Sequence, residues 1–328
     1  MYVIQCAQTT RKVTINMPIA IIVHGGAGTV TPNRAEIVQE GCREAAIIGW
    51  RILQTGGSAL DAVEAAVRAL EDNPEYNAGT GSCLTSDGNI ELDAGIMEGQ
   101  TLQVGAVACV ELIKNPISLA RKVMDSPHVL LVGKGAQAYA LERGIPLCEL
   151  EDLVTERQYQ KWIQQKKQAS RKSHHEDEPR YHRREVASVE AREERHGTVG
   201  AVAIDMAGHL AAASSTGGIA NQYPGRVGDS PLVGCGFYAD DNAAISCTGD
   251  GEDFIRLLIA KRAADYVAHG ESARDAATSA IAFLGARATG TGGLIIVDRK
   301  ANVGFAWNSS HLKYAYITEG MEGPESGI

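Results

Sequence analysis

The composition changes abruptly at residue 197, and this boundary constrains the architecture more than any other feature of the 328-residue chain. Residues 156–196 contain 11 Lys or Arg, 8 Asp or Glu, no glycine and few aliphatic side chains. Such a segment buries too little apolar surface to offset the entropy that it loses on ordering. The sequence therefore predicts a disordered, charged linker over 156–196, helical at most in its first part.

Strand-forming sequence resumes directly after this linker. Residues 198–205 are small and apolar, and a hairpin turn at 206–208 leads to a second strand at 209–213. The chain on each side of the linker supplies both strands and helices, in segments too short for separate domains. We therefore predict one domain of packed sheets flanked by helices.

The apolar pattern places the remaining elements. A buried strand at 19–23 ends in a glycine loop, and His24 at that point is interpreted as a core histidine. Ser58 has the position of a helix N-cap, with Asp61 completing a capping box. Helices are predicted at 34–55, from Ser58 to about 72, 116–124, 136–143, 253–269 and 272–284. Further strands are predicted at 90–97, 104–112, 128–132, 243–247, 294–297, 303–307 and 314–317.

Composition excludes several classes of function. A formal net charge of −9 argues against a nucleic-acid partner, and no run approaches 18 apolar residues, so no membrane partner is expected. The start lacks the charge and hydropathy pattern of a secretory signal. Seven scattered cysteines without a Cys-x-x-Cys pair indicate thiols of a reducing compartment, so the cytoplasm is the expected location.

Three threonines stand out as candidate catalytic groups. Thr198, Thr216 and Thr248 each begin or end an apolar strand, and the last two precede glycine. Cleavage between Gly197 and Thr198 would give Thr198 a free α-amino group beside its hydroxyl, which joins nucleophile and base in one residue. Threonine is also a common strand residue, and Gly-Thr-Val taken alone usually has only a structural role.

Arg226 and Asp229 form a candidate binding pair. They lie three residues apart in a loop rich in glycine and proline. A guanidinium suits a carboxylate and a carboxylate suits an ammonium, the two charged groups of an amino acid. A simple surface ion pair is the alternative interpretation.

Taken together, these motifs resemble the plant-type (type 2) L-asparaginases/isoaspartyl peptidases, which are N-terminal nucleophile hydrolases. The resemblance covers about residues 19–307, departs in the length and charge of the 156–196 linker, and weakens at 308–311. The matching segments are His24-Gly25-Gly26-Ala27-Gly28, Asn77-Ala78-Gly79, His196-Gly197-Thr198-Val199-Gly200-Ala201-Val202-Ala203, Ser215-Thr216-Gly217-Gly218, Pro224-Gly225-Arg226-Val227-Gly228-Asp229-Ser230-Pro231 and Thr248-Gly249-Asp250-Gly251-Glu252.

The resemblance implies an α+β fold, the four-layer αββα sandwich of these hydrolases. It also implies self-cleavage into an α subunit, 1–197, and a β subunit, 198–328, which together make one domain. Thr198 would be the nucleophile with its α-amine as base, and Thr216 would orient its hydroxyl. Thr248 and the Gly249 N–H would form the oxyanion hole.

The resemblance also assigns the substrate contacts. Arg226 would bind the substrate α-carboxylate, and Asp229 with the Gly251 carbonyl would bind its ammonium, beside Thr248 and Gly249. Asn77 would lie near the bond that is cleaved after Gly197. No organic cofactor is implied. A structural sodium ion would be held by the backbone carbonyls of Leu70, Glu71, Asn73, Tyr76, Ala78 and Thr80.

The expected activity is hydrolysis of L-asparagine and of β-aspartyl (isoaspartyl) dipeptides by an (αβ)2 heterotetramer. The sequence does not rank these substrates, because both contain the same aspartyl group. A glycosylasparaginase of the same fold is one alternative, although those enzymes are usually secretory or lysosomal. An unprocessed amino-acid-binding or scaffold protein is another, although binding alone would not require the set of hydroxyls.

Overall fold

The computed structural model describes residues 17–172 and 197–328. Strands occur on both sides of the gap between these ranges. Within the described residues they are β1 Ala20–Ala27, β2 Leu92–Glu98, β3 Val104–Val110, β4 Leu130–Val132, β5 Val199–Ile204, β6 Leu210–Thr216, β7 Phe237–Ala239, β8 Ala243–Gly249, β9 Gly292–Asp298, β10 Val303–Trp307, β11 Leu312–Thr318 and β12 Glu325–Gly327.

Helices alternate with these strands. In the same described ranges they are α1 Ala35–Gln54, α2 Ala59–Asp72, α3 Pro116–Met124, α4 Gly133–Glu142, α5 Glu156–Lys172, α6 Gly251–Leu257, α7 Ile259–Ala268 and α8 Ala273–Arg287. Short 3-10 helices occur at Pro32–Arg34 and Leu150–Asp152. Ser58 accepts a hydrogen bond from Asp61 N at 3.1 Å, which confirms the predicted start of α2.

The strands form two sheets. An eight-stranded sheet has the order β12-β11-β1-β5-β6-β2-β3-β4, and a four-stranded sheet has the order β10-β9-β8-β7. Neighbouring strands are antiparallel except β3 and β4, which are parallel. The predicted mixed architecture of helices and packed sheets is thus confirmed, and β5 lies near the centre of the large sheet.

Side chains of the large sheet alternate between two cores. On β1, Ile21 and Val23 join a core with α1, α2 and α3, whereas Ala20 and Ile22 face the second sheet. On β9, Ile295 faces the large sheet, and Ile296 packs with α7 and α8. Because successive strand residues point to opposite faces, strands buried on both faces have the continuous apolar runs seen in the sequence.

The two sheets approach closely at Gly200 on β5. A Cβ atom at this position would lie 2.1 Å from Ser246 Oγ and 2.4 Å from His24 Nε2. These two side chains are themselves hydrogen bonded at 3.0 Å between the sheets. Any larger residue than glycine at 200 would force the sheets apart beside the strand that begins with Thr198.

The structure refines one expectation for the helices and corrects another. The first part of the presumed linker is helix α5, as the sequence allowed, so disorder is not found over 156–172; Trp162 and Gln158 of this helix contact the loop before β2. Residues 173–196, the rest of that linker, lie outside the described residues. The single helix expected over 253–269 is interrupted at Leu258, whose φ of 52° is left-handed, so α6 and α7 are separate helices.

The sequence also predicts cysteines that are thiols and no membrane-spanning helix. Six cysteines in the described residues are free, and Cys6 lies outside them; the six are Cys42, Cys83, Cys109, Cys148, Cys235 and Cys247. Across residues 17–172 and 197–328, none of the helices combines the length and the apolar character needed to span a bilayer.

Glu71, in the last turn of α2, couples stability to pH. It is fully buried, and its Oε1 accepts hydrogen bonds from Ile117 N at 3.0 Å and Ser215 Oγ at 2.6 Å. Burial raises its pKa from 4.5 to about 8. The folded state therefore holds a proton that the unfolded state releases, so this contribution is complete below pH 4.5 and is lost as pH rises through about 8.

We predict that Glu71→Gln, which stays neutral, will reduce the loss of stability between these pH values. Thermal unfolding midpoints of both proteins, measured from about pH 5 to about pH 9, test this. Glu44→Gln, the same change at an exposed position of α1, is the control and should leave the slope unchanged. Equal slopes for wild type and Glu71→Gln would contradict the prediction.

Candidate active site

Thr198 lies immediately before β5, in contact with a second predicted site residue. The pairing of β5 with β6 places Val199 opposite Ser215, so Thr198 and Thr216 come together at the end of the two strands. Thr198 Oγ1 donates to Thr216 Oγ1 at 3.4 Å, and both residues are almost fully buried. The sheet register thus brings two hydroxyls together that are separated by 18 residues in sequence.

The carbonyl of Gly197 carries two hydrogen bonds. Asn77 Nδ2 donates to it at 2.9 Å and Thr216 Oγ1 donates at 2.8 Å. Donors aimed at a carbonyl oxygen stabilise the negative charge that builds up when a nucleophile attacks the carbonyl carbon. The peptide bond before Thr198 is therefore polarised by its own surroundings.

The Asn77 amide is held in one orientation. Its Oδ1 accepts from Cys83 N at 2.8 Å, and its Nδ2 also donates to Gly218 O at 2.7 Å. Its backbone carbonyl accepts from Gly217 N at 2.9 Å. These bonds join the loop before β2 to the turn after β6, so the donor on the Gly197 carbonyl is fixed from both sides.

Thr248 and Gly249 close β8 beside Gly25 and Gly26, which belong to β1 and not to a loop beginning after residue 23 as the sequence predicted. Thr248 is fully buried, and its Oγ1 accepts from Ala27 N at 3.0 Å, so its own hydroxyl proton remains for donation. Gly26, next to Ala27, lies against Thr198: a Cβ on it would lie 3.2 Å from Thr198 N. At Gly249 a Cβ would lie 2.5 Å from Thr291 O, so glycine is required there.

Arg226, Asp229 and Gly251 form a second cluster. A Cβ on Gly251 would lie 2.8 Å from Asp229 Oδ1 and 3.1 Å from Arg226 Nη2, so the three groups share one small space. Arg226 Nε and Nη2 donate to the two carboxylate oxygens of Glu252 at 3.0 and 3.1 Å. Sequence reasoning included Glu252 only as part of a motif and did not identify this bidentate pair.

Asp93 links the two clusters and was missed by sequence reasoning. On β2 it pairs in register with Thr216, and its Oδ2 accepts from Gly228 N at 3.4 Å, in the loop that carries Arg226. Its Oδ1 accepts from Cys109 N at 2.9 Å. The available signal was an acidic residue inside an otherwise apolar strand.

Burial raises the pKa of Asp229 to about 7 and that of Asp93 to about 6. The positive charge of Arg226 lowers both values but does not outweigh desolvation. His24 responds in the opposite sense, since burial lowers its pKa to about 3 and keeps the ring neutral. Its fully buried position agrees with the predicted core role.

The predicted residues therefore fall into two connected groups. Gly197, Thr198, Thr216 and Asn77 are in direct hydrogen-bonding contact, and Thr248 and Gly249 flank them across Ala27. In the described parts of the chain, no group of three or more His, Cys, Asp or Glu side chains is arranged to hold a metal ion. Hydroxyls and amides dominate the first group, and charged side chains dominate the second.

Comparison with known proteins decides the family. A family model described as Asparaginase matches residues 17–324. The plant-type L-asparaginase of Pyrococcus horikoshii is 48% identical over 315 residues, which cover 94% of this chain and 100% of that protein. The isoaspartyl peptidase/L-asparaginase of Rattus norvegicus is 42% identical over 314 residues, covering 95% and 90% of the two chains.

The chain belongs to the asparaginase family. The resemblance inferred from the motifs is thereby confirmed, and the chain is a hydrolase of that family. Residues 308–311, the weaker part of the resemblance, lie beside the glycine loop, where Gly28 N donates to His311 O at 2.9 Å. Asn308 Oδ1 accepts at 2.8 Å from the N–H of Gly292, the first residue of β9, and β9 pairs with Thr248 and Gly249.

In this asparaginase-family site, Asp229 should titrate near neutrality. We predict a carboxyl midpoint near pH 7 in a carbon-13 NMR titration, because burial disfavours the charged form. Asp229→Asn assigns the resonance by its disappearance. A midpoint close to the ordinary value of 3.8 would contradict the prediction.

Proposed function

We propose that this protein is a self-processing threonine hydrolase that acts on the side-chain amide of L-asparagine and on β-aspartyl dipeptides. The observation that supports it best is the arrangement at Gly197. Its carbonyl oxygen accepts from Asn77 and Thr216, and Thr216 in turn accepts from Thr198 Oγ1. The names of the relatives, L-asparaginase and isoaspartyl peptidase, support the substrate class.

The processing reaction uses groups already in contact. Thr198 Oγ1 attacks the Gly197 carbonyl carbon, and the resulting oxyanion is stabilised by Asn77 Nδ2 and Thr216 Oγ1. The C–N bond then breaks, the hydroxyl proton passes to the departing α-amine, and an ester remains between Gly197 and Thr198. Water hydrolyses this ester, which leaves chains 1–197 and 198–328.

The freed α-amine of Thr198 then serves as the base for substrate hydrolysis. Such a group has a pKa of about 7.7–8.0, so an appreciable fraction is neutral near pH 7. Thr198 Oγ1 attacks the substrate carbonyl carbon, with the oxyanion held by Thr248 Oγ1 and Gly249 N–H. The leaving nitrogen takes the proton from the α-ammonium, and water hydrolyses the acyl-enzyme to give aspartate.

Substrate orientation comes from the charged cluster. Arg226 binds the α-carboxylate through guanidinium N–H groups beside its bidentate pair with Glu252. Asp229 and the Gly251 carbonyl bind the α-ammonium. Because a protonated Asp229 loses this attraction, substrate binding strengthens as pH rises through about 7.

The fold and assembly belong to the same proposal. Helices α1 to α3 cover one face of the large sheet, the small sheet covers the other, and α7 with α8 cover the small sheet. This order supports the αββα sandwich of N-terminal nucleophile hydrolases.

Val129, Val132 and Leu141 at and beside the edge strand β4 are each more than half exposed, which supports self-association as (αβ)2.

A structural sodium ion fits the loop after α2. The last carbonyls of a helix lack helical partners and carry the negative end of its dipole. Thr80 N donates to Glu71 O at 2.8 Å, which folds the loop back over the helix end. A Cβ on Gly79 would lie 2.6 Å from Glu71 O and 2.7 Å from Lys114 O, so backbone oxygens converge there as hard cations require.

The alternatives account for less of the site. An amino-acid-binding or scaffold protein would use Arg226 and Asp229 but not the hydrogen bonds on the Gly197 carbonyl. A glycosylasparaginase would share those bonds, but only the shared fold supports this alternative. The cytoplasmic location stays a prediction from the sequence.

The first prediction from this proposal concerns self-cleavage. Intact mass under denaturing conditions should show two chains whose masses match a break before Thr198. Thr198→Ala should remain one chain and lack turnover, because the attacking hydroxyl is gone. Thr198→Ser, which keeps a hydroxyl, is the control and should still cleave; a single stable wild-type chain would refute the mechanism.

The second prediction separates binding from processing. Arg226→Ala should cleave normally, because Arg226 does not contact the Gly197 carbonyl, but should raise KM for L-asparagine by about 100-fold through loss of a charge-assisted pair. Arg226→Lys keeps the charge without the bidentate geometry, so its KM should lie between those of the wild type and Arg226→Ala. An unchanged KM for Arg226→Ala would remove Arg226 from the substrate site.

A further inference from the structure

Side chains bind all three consecutive backbone N–H groups of segment 290–292, which leads into β9. Most hydrogen bonds of a backbone N–H are made to other backbone groups, so three successive bonds to side-chain oxygens are unusual. The acceptors come from helix α6, from the residue before it and from the residue after β10. The pairs are Gly290 N with Asp253 Oδ2 at 3.0 Å, Thr291 N with Asp250 Oδ2 at 2.7 Å, and Gly292 N with Asn308 Oδ1 at 2.8 Å.

Two backbone hydrogen bonds strengthen this arrangement. Asp250 N donates to Thr291 O at 2.9 Å, and Asn308 N donates to Gly292 O at 2.9 Å. Asp250 and Asn308 therefore each bind one residue of the segment through both backbone and side chain. Asp250 lies directly before α6, where an Asp side chain often caps the helix, but its Oδ2 is used for Thr291 N.

Segment 290–292 lies directly against the peptide that joins Thr248 to Gly249. Gly249 and Gly292 are paired in register between β8 and β9. A Cβ on Gly249 would lie 2.6 Å from Gly292 Cα, and a Cβ on Gly292 would lie 2.4 Å from Thr248 O. The two backbones therefore touch without a side chain between them, so a displacement of the segment is transmitted to this peptide.

We propose that Asp250 and Asn308 are positioning residues for the oxyanion hole, because they fix the segment that lies against the Gly249 N–H. This inference rests on the proposed function, in which that N–H and the Thr248 hydroxyl stabilise the oxyanion of substrate hydrolysis. Such donors are effective when they are oriented before the reaction, since they then need no reorganisation as charge develops. Both residues act through Gly249 and not by contact with the substrate.

Self-cleavage, as proposed above, uses a different set of donors. Its oxyanion forms on Gly197 O, which accepts from Asn77 and Thr216. These donors come from the loop before β2 and from the end of β6, whereas segment 290–292 leads into the small sheet. A loss confined to turnover therefore distinguishes an effect on the oxyanion hole from general damage to the fold.

Asn308 is the better position for a test, because it is exposed and because Asp250 directly precedes Gly251, a proposed substrate contact. Asn308→Ala removes the acceptor of the Gly292 N–H. Loss of a whole oxyanion-hole donor lowers kcat by about 100- to 1000-fold, and a displaced donor loses part of this. We therefore expect kcat for L-asparagine to fall about tenfold, with KM and the inhibition constant of L-aspartate within about twofold of wild type. Self-cleavage, followed by intact mass, should keep its wild-type rate.

The conservative variant Asn308→Asp keeps an acceptor oxygen and should restore kcat to within about threefold of wild type. Asn302→Ala is the matched control and should leave kcat unchanged. Asn302 is also exposed, but its Nδ2 donates to Asp298 Oδ2 at 2.8 Å, at the opposite end of the β9–β10 hairpin. Asp250→Ala removes the acceptor of the Thr291 N–H and provides a second, independent test; it should also lower kcat about tenfold, and Asp250→Asn should restore it.

The outcomes distinguish this inference from the proposed function. An unchanged kcat in Asn308→Ala, an equal fall in Asn302→Ala, or a loss carried by KM or by slower self-cleavage would overturn the positioning role and leave the function intact. Cleaved wild-type protein that hydrolyses neither L-asparagine nor β-aspartyl dipeptides would overturn the proposed function itself.

Discussion

The hydrogen bonds on the Gly197 carbonyl depend on almost every other part of the molecule. The carbonyl is placed by β5, which lies between β1 and β6 near the centre of the large sheet. Its two donors come from the end of β6 and from the loop before β2. A shift of one residue in the pairing of β5 and β6 would turn the Thr216 hydroxyl to the opposite face of the sheet. The register of two buried strands therefore sets the geometry around the peptide bond before Thr198.

Charges of both signs meet around Arg226. Its guanidinium pairs with the carboxylate of Glu252, which is about half exposed, whereas Asp229 and Asp93 are almost fully buried. The charge of Arg226 lowers the pKa of both buried carboxyls, and desolvation raises both by more. One cation therefore interacts with an exposed carboxylate and with two buried carboxyls at the same time.

Much of this arrangement could be predicted from sequence, because hydrophobic periodicity reports burial. It located α1, α2, α3 and the β5–β6 hairpin, and glycine-flanked threonines marked the strand ends. The role of Asp93 was not predictable, because its contacts are with residues 16 and 135 positions away. The break at Leu258 was also missed, since a left-handed leucine has no signature in the apolar pattern. Hydrophobic periodicity carries no information about long-range contacts or about a local left-handed backbone conformation.

Helix α5 shows why a charged segment can still matter for the site. Gln158 Nε2 donates to Gly81 O at 2.8 Å, and Trp162 Nε1 donates to Thr85 O at 2.8 Å, so the helix holds the loop that carries Asn77. Gln158 is only 4% exposed, which makes it a buried polar group satisfied by that loop. Arg157, on the same helix, donates to Pro74 O at 2.7 Å, which is a third point of attachment to this loop. Helix α5 thus orders the loop whose Asn77 amide donates to the Gly197 carbonyl. Sequence variation in this helix would therefore change the geometry of that hydrogen bond from outside the group of residues bonded to Gly197.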